Sequence, residues 1–121
     1  EVDVDSLIER IEAATEGTLD LDREILAALG YTWRGMGYWK DSGVTSEMWK
    51  DTSLLTRSLD GAARLVPKGW CWHLGWLEAN GEAIARLFRA DNKREPISSA
   101  ATPALALVSA ALKARIIPHD R

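Results

Sequence analysis

The segment that decides the fold is Trp70-Cys71-Trp72-His73-Leu74-Gly75-Trp76, where tryptophan or leucine occupies every second position. Such alternation predicts a β-strand with one packed face, because successive side chains of a strand point to opposite faces. Asn80-Gly81 follows closely, and this pair is typical of two-residue hairpin turns. We therefore predict an antiparallel hairpin in which residues 82–90 form the second strand.

The predicted turn also fixes the register of the hairpin. A two-residue loop sets three cross-strand pairs, namely Trp76 with Ala85, Leu74 with Leu87, and His73 with Phe88. The face opposite the tryptophans is also largely apolar, since it carries Cys71, His73, Leu77, Ile84 and Phe88. Both faces are therefore expected to be covered, with helices above and below the sheet.

Four helices and two further strands are predicted around this hairpin. Apolar spacing and capping residues indicate helices over residues 5–14, from Asp20 to Gly30, from Ser58 to Pro67, and from Thr102 onwards. Short strands are expected at 37–40 and 47–50, and a polar connection at 91–101. The predicted fold class is α+β: an α-β-α sandwich with a four-stranded antiparallel sheet covered by helices, in the order ααββαββα.

Length and composition predict a single domain over residues 1–121. The one cysteine, Cys71, excludes an intramolecular disulfide and favours a reducing compartment. No apolar run approaches the ~20 residues of a membrane-spanning helix, and the acidic residues at 1–5 are unlike a signal peptide. We expect a cytoplasmic protein without a membrane interaction.

Two stretches resemble a known family of small proteins. They are residues 56–72 (TRSLDGAARLVPKGWCW) and residues 102–115 (TPALALVSAALKAR). The first resembles the helix-to-strand core, and the second the C-terminal helix, of the phage ABA-sandwich family. Gly61 departs from the pattern, which has Ala there. The resemblance implies an α-β-α sandwich, a phage or prophage origin, a bacterial host cell, and interference with host defence or regulation in the manner of anti-CRISPR proteins.

Catalytic and metal chemistry have few candidates. Cys71 and His73 lie two positions apart, so their side chains would share one strand face and could form a nucleophile and its base. The alternative is that a helix covers both, with Cys71 as a small apolar residue and His73 hydrogen-bonded. The sequence has no phosphate-binding loop, no HExxH and no paired cysteines. We predict no catalytic residue, no metal and no cofactor.

The main candidate surface is the stretch rich in aromatic residues and glycine at 31–50. Its candidate binding residues are Trp33, Arg34, Tyr38, Trp39 and Trp49. The rings could stack on a partner's side chains or on a base, and the arginine could bind a phosphate. Such rings are more commonly core or sheet residues. Contiguous exposure of the rings would indicate an interface.

The charge distribution offers two further candidate surfaces. Residues 1–24 contain nine acidic residues and two arginines. Glu9, Glu12 and Glu16 could form an acidic contact surface, although acids in the first turn of a helix also simply stabilise its dipole. The basic residues Arg86, Arg89, Lys93 and Arg94 could contact phosphate or an acidic partner, or be solvated. With a net charge of −3, direct nucleic-acid binding is not expected.

The predicted function is that of a non-enzymatic phage or prophage protein that binds a host protein and inhibits a defence or regulatory system. Two alternatives remain open at this point. The same aromatic residues could sequester a small nucleotide-like ligand, or the chain could have a structural or assembly role. A homodimer is compatible with an antiparallel sheet edge and surplus tryptophans.

Overall fold

A computed structural model describes residues 4–33, 37–42, 45–50, 55–77, 79, 81–91 and 95–116. Within these residues the chain forms four helices and six strands. The helices are α1 (Val4–Ala13), α2 (Leu19–Ala28), α3 (Leu59–Arg64) and α4 (Pro103–Ile116). The strands are β1 (Thr32–Trp33), β2 (Gly37–Ser42), β3 (Thr45–Lys50), β4 (Cys71–Trp76), β5 (Ala83–Phe88) and β6 (Ile97–Ala100).

The described strands form two antiparallel sheets of three strands each. The first has the order β1-β2-β3 and the second the order β4-β5-β6. The mixed α+β class is therefore confirmed, whereas the predicted four-stranded sheet and the order ααββαββα are not. The prediction missed β6, which lies in the expected polar connection. Its two serines made this segment resemble a loop in the sequence, although Ser98 is buried and shares a hydrogen bond with Ser109 of α4.

The core lies between the second sheet and the helices. Helix α4 packs against all three strands, α1 contacts β6 and α4, and α3 contacts α4. Small residues such as Ala83, Ala85 and Ala100 are fully buried on this face, so α4 approaches the sheet closely. As predicted, α4 is buried nearly all round, from Ala104 to Leu112. None of the helices among the described residues is both long and apolar enough to cross a membrane.

The opposite face of the second sheet differs from the prediction. Cys71, His73, Arg86 and Ile97 are exposed there, and no helix of the described residues covers them. The predicted second helix layer of an α-β-α sandwich is therefore not confirmed. Arg86 gives the physical reason, because a guanidinium in the middle of the face is rarely buried without a paired charge.

The predicted register of the hairpin is wrong by two residues. Trp76 pairs with Ala83 and Leu74 with Ala85. The Leu77 N–H donates to the Glu82 carbonyl at 2.8 Å, so four residues, not two, connect the strands. A shift of two preserves the assignment of side chains to faces, and for this reason the tryptophan face still packs on the core.

Two of the helix N-caps indicated by the sequence are confirmed. The Ser58 and Thr102 hydroxyls accept hydrogen bonds from backbone N–H groups in the first turns of α3 and α4. Helix α2 is capped by Thr18, whose hydroxyl accepts from the Leu21 N–H at 3.1 Å, and not by Asp20 as predicted. Asp20 instead lies in the first turn, where a carboxylate still favours the helix dipole.

Candidate protein-binding surface

The second sheet has one face turned away from the helices, and we call it the open face. Burial alternates along β5, where Ala83, Ala85 and Leu87 are buried and the residues between them are more exposed. The residues of the open face therefore come from alternate positions of three strands: Cys71, His73, Gly75, Ile84, Arg86, Phe88, Ile97 and Ser99.

Arg86 connects the polar and apolar parts of the open face. Its guanidinium carbon lies 5.3 Å from the centre of the Phe88 ring. Its Nη2 lies 3.4 Å from His73 Nδ1, a hydrogen bond when that nitrogen is the unprotonated acceptor. The His73 and Phe88 rings meet edge to face with their centroids 4.9 Å apart. The three side chains thus form one contiguous surface.

The rim of this surface carries both signs of charge. Arg86 Nη1 lies 3.7 Å from Glu95 Oε1, and both side chains are largely in solvent, so the pair contributes little stability. Ile97 lies beside them on β6 with half of its surface exposed (50%). An apolar centre with arginine and aromatic residues at a polar rim is the composition typical of protein-binding surfaces.

The candidate nucleophile pair also lies on the open face. Cys71 and His73 are both exposed rather than covered by a helix. Within the part of the chain that the structure describes, His73 contacts Arg86 and Phe88, and Cys71 is not among its contacts. No group of three or more His, Cys, Asp or Glu side chains among the described residues could hold a metal ion.

For the predicted aromatic surface, the structure describes the backbone pairing of the strands. Trp33 pairs with Tyr38, and Tyr38 pairs with Trp49, so these three positions form one row across the first sheet. Trp39 stands in the neighbouring row, opposite Thr32 and Met48. Arg34 lies outside the described residues, as do the side chains of the other four.

The predicted acidic residues have three different environments. Glu9 is exposed on α1. Glu12 is half-buried and pairs with Lys113 of α4 at 2.8 Å, so its charge is already engaged within the fold. Glu16 lies at the wall of a cleft. The three carboxylates therefore differ in exposure and in whether their charge is paired within the fold.

That cleft has a volume of about 490 Å³. It lies between the loop before α2, the start of α3 and the start of α4, and is lined by Glu16, Gly17, Thr56, Arg57, Leu59, Thr102, Pro103 and Ala104. Asp22 holds the lining residue Thr56 in place: Asp22 is only 2% exposed, and its carboxylate accepts hydrogen bonds from the Thr56 N–H at 2.8 Å and the Thr56 hydroxyl at 2.6 Å. Arg57 Nη2 reaches the other carboxylate oxygen at 3.4 Å.

The basic residues near the hairpin also have different environments. Arg89 binds Asp91 through two hydrogen bonds of 2.7 Å and lies 5.7 Å from the Trp70 ring centre. The hydrogen bonds from Arg89 lower the pKa of Asp91. Arg86 therefore differs from Arg89 in facing the open sheet surface, and Lys93 and Arg94 lie outside the described residues.

Sequence reasoning missed Glu95 and Ile97 as members of a candidate surface. The available signal was the alternation Ile84-Arg86-Phe88, which places a charged residue between two apolar ones on one strand face. Such a face stays in contact with solvent, and the strand beside it then contributes exposed residues too.

No family model, no curated protein and no solved structure matches this chain.

Proposed function

We propose that this protein is a non-enzymatic binding protein that forms a stoichiometric complex with a host protein through the open face of its second sheet. The observation that carries the proposal is the contiguous Arg86–Phe88–His73 surface, with the exposed Ile97 beside it, on the sheet face that no helix of the described residues covers. The paired strands fix the backbone positions of these residues, so the entropy lost on binding is mainly that of their side chains.

The chemistry of the open face indicates the chemistry of the partner. Phe88, Ile84 and Ile97 favour an apolar patch, since contact with one removes their surface from water. Arg86 favours a carboxylate, because its pairing with Glu95 at 3.7 Å is weak and solvent-exposed. We therefore propose a partner surface with an apolar centre and an acidic residue at its rim.

The biological setting in this proposal comes from the resemblance to the phage ABA-sandwich family. Residues 56–72 and 102–115 support a phage or prophage origin, and the host protein is then proposed to belong to a defence or regulatory system. Inhibition requires only that the complex blocks a surface of the target. For this role the chain needs a contact surface and no catalytic group.

Two other surfaces remain part of the proposal as secondary contacts. The positions Trp33, Tyr38 and Trp49 form a cross-strand row in the first sheet. Glu9 is an exposed carboxylate on α1. Charge reversal by Glu9→Lys is expected to weaken the complex if α1 contributes to it, and to leave affinity unchanged if the open face acts alone.

The experiment compares matched variants in a host extract. Ile97→Asp and Arg86→Glu change the open face, while Leu19→Asp changes an apolar residue on α2 that is 37% exposed. Native mass spectrometry should detect one host protein bound to the wild type and to Leu19→Asp. Both open-face variants should lose it, with the affinity of the purified pair reduced at least about tenfold.

Equal retention of the host protein by all four proteins would contradict the proposal. Far-UV circular dichroism and thermal unfolding would verify that each variant is folded. Since Ile97 and Arg86 are exposed, both substitutions are expected to leave the core unchanged.

A small-ligand role is the second candidate, favoured by the cleft of about 490 Å³ beside Arg57. That volume is in the range of small-molecule sites. A nucleotide-like ligand would place its phosphate on Arg57 and its apolar surface on Leu59 and Pro103, with a ribose hydroxyl or base amine donating to Glu16. Millimolar AMP should then shift the amide NMR signals of Leu59 and Ala104 in the wild type and not in Arg57→Met. Absence of any shift in the wild type would reject it.

A further inference from the structure

The hydrogen-bond pattern of the second sheet determines which backbone groups face its outer edges. In an antiparallel pair, residues that exchange hydrogen bonds alternate with residues that do not. The Leu77–Glu82 bond at 2.8 Å continues the register of β4 and β5, so Gly75, His73 and Cys71 bond to β5. The backbone groups of Trp72, Leu74 and Trp76 therefore point away from β5, towards the edge.

The same reasoning on β6 gives an independent check. The Leu87 N–H donates to the Pro96 carbonyl at 3.0 Å, so Ser98 and Ala100 bond to β5 and Ile97 faces outward. Lys113 Nζ indeed lies 2.9 Å from the Ile97 carbonyl oxygen. The β6 edge is thus capped by a lysine, which is one of the ways in which natural proteins prevent strand addition.

Within the described residues, the β4 edge has no such cap. Its sequence Cys71–Trp76 contains no charged residue and no proline. Among the residues that the structure describes, none hydrogen-bonds to the outward backbone groups of Trp72, Leu74 or Trp76. Trp76 is also the most exposed of the large apolar side chains described, at 62%. An uncharged six-residue edge of this kind is a template for pairing with another strand.

We propose that β4 pairs with β4 of a second copy of this chain, giving a two-fold symmetric dimer with one continuous antiparallel sheet. The pairing is self-complementary when the two-fold axis passes between the two Leu74 residues. Trp72, Leu74 and Trp76 of one copy then exchange backbone hydrogen bonds with Trp76, Leu74 and Trp72 of the other.

The side chains of β4 also favour a second copy of this chain as the pairing partner. These residues lie on the helix side of the sheet in both copies, because a two-fold axis normal to the sheet keeps each face on its own side. Each exposed Trp76 ring then meets Trp72 of the other copy, and aromatic cross-strand pairs stabilise a sheet. No charge is brought together across the axis, since β4 has none. On the other side, the two open faces become one extended surface.

The first test is the mass in solution together with hydrogen exchange. The wild type is expected as a dimer of 13.4 kDa chains, with slowly exchanging amides at Trp72, Leu74 and Trp76. Trp76→Lys should weaken the dimer at least about tenfold, because the tryptophan contributes twice to a symmetric interface. Trp76→Pro should do the same, since its lost N–H points outward and proline is tolerated on an edge strand. Ile97→Lys on the capped edge should remain dimeric.

The second test measures the register. A spin label on Cys71, the single cysteine, should report a separation between the two Cα atoms of about 20 Å, because each lies three residues from the two-fold axis. A monomer at about 100 μM, or a dimer in which the amides of Trp72 and Leu74 exchange rapidly, would overturn the proposal. Dimerisation can be separated from binding of the host protein. Ile97→Asp is expected to abolish binding of the host protein and Trp76→Lys to abolish pairing with the second copy.

Discussion

Glu12 and Lys113 join the first and last helices of the chain: Lys113 Nζ lies 2.8 Å from Glu12 Oε2. Ser109 donates its hydroxyl proton to the same oxygen at 2.9 Å. Because Ser109 uses that proton, the Ser98 hydroxyl, 2.9 Å away, must donate to Ser109. A partly buried relay therefore runs from β6 through α4 to α1. The relay gives hydrogen-bond partners to two serine hydroxyls that are buried in the otherwise apolar core.

The first prediction concerns the pH dependence of stability. Burial raises the pKa of Glu12, but the hydrogen bonds from Lys113 and Ser109 outweigh it, so the pKa lies below the ordinary 4.5. A carboxyl with a lowered pKa stabilises the fold at pH values above its unfolded pKa, and this contribution is lost as pH falls through the folded pKa. The free energy of unfolding of the wild type should therefore decrease below pH 4.5.

Glu12→Gln is the variant that tests this pH dependence. It should be less stable than the wild type by about 1 kcal/mol at neutral pH, as expected for a charged hydrogen-bonded pair that is partly in solvent. The difference should shrink as the pH falls below 4.5. Urea unfolding at several pH values measures it, and a difference that is constant down to pH 3 would contradict the assignment. Glu9→Gln, at an exposed position on α1, is the matched control.

The second prediction concerns the buried carboxylate of Asp22. Asp22→Ala leaves the buried Thr56 N–H without its acceptor, and an unsatisfied buried group costs about 1–3 kcal/mol. Thermal unfolding of Asp22→Ala should therefore show a clear loss of stability. Asp20→Ala, on the exposed side of the same helix, should show much less. Similar losses in both variants would mean that the helix dipole, and not the Thr56 contact, is the source.

The third prediction uses two glycines that differ in their surroundings. A Cβ on Gly17 would overlap the Thr56 carbonyl and lie 2.7 Å from Thr56 Oγ1, whereas a Cβ on Gly75 would meet only Ile84 Cγ2 at 3.4 Å. Gly17→Ala must therefore displace backbone and should cost several times the effect of Gly75→Ala, on the order of 2–3 kcal/mol. Chemical denaturation of both variants compares them directly, and equal stability would show that the loop at Thr56 shifts freely.

The predicted hairpin shows what the sequence determines and what it leaves open. Alternation at 70–76 predicted β4, because the period of a strand is visible in its own residues. The loop length is not visible in the same way. Asn80-Gly81 favours a two-residue turn, yet the Leu77–Glu82 hydrogen bond closes a loop of four residues. The two registers differ by two residues, so both place Leu74 and Trp72 on the core face. The packing pattern visible in the sequence therefore does not distinguish them.

Strand β6 and the open face could not be predicted for a related reason. Ser98 reads as a loop residue until its hydroxyl is paired with Ser109, eleven residues along the chain and on another element. Exposure of His73 and Cys71 likewise depends on whether another element covers them. Local periodicity carries no information about such distant contacts, whereas the caps at Ser58 and Thr102 were predictable because they involve neighbours within one turn.

The last prediction separates the two roles of Lys113. Its Nζ hydrogen-bonds both to Glu12 and to the Ile97 carbonyl, so it stabilises the core relay and also caps the β6 edge. Lys113→Met should cost more than Glu12→Gln, about 2 kcal/mol, because it leaves the half-buried Glu12 carboxylate without its cation. It also uncaps the carbonyl that faces outward from β6. Lys113→Met should therefore form oligomers larger than the wild type at equal concentration, whereas Glu12→Gln, which retains the lysine, should not. Sedimentation velocity on the three proteins distinguishes these outcomes, and an unchanged size distribution for Lys113→Met would show that the lysine cap does not control the edge.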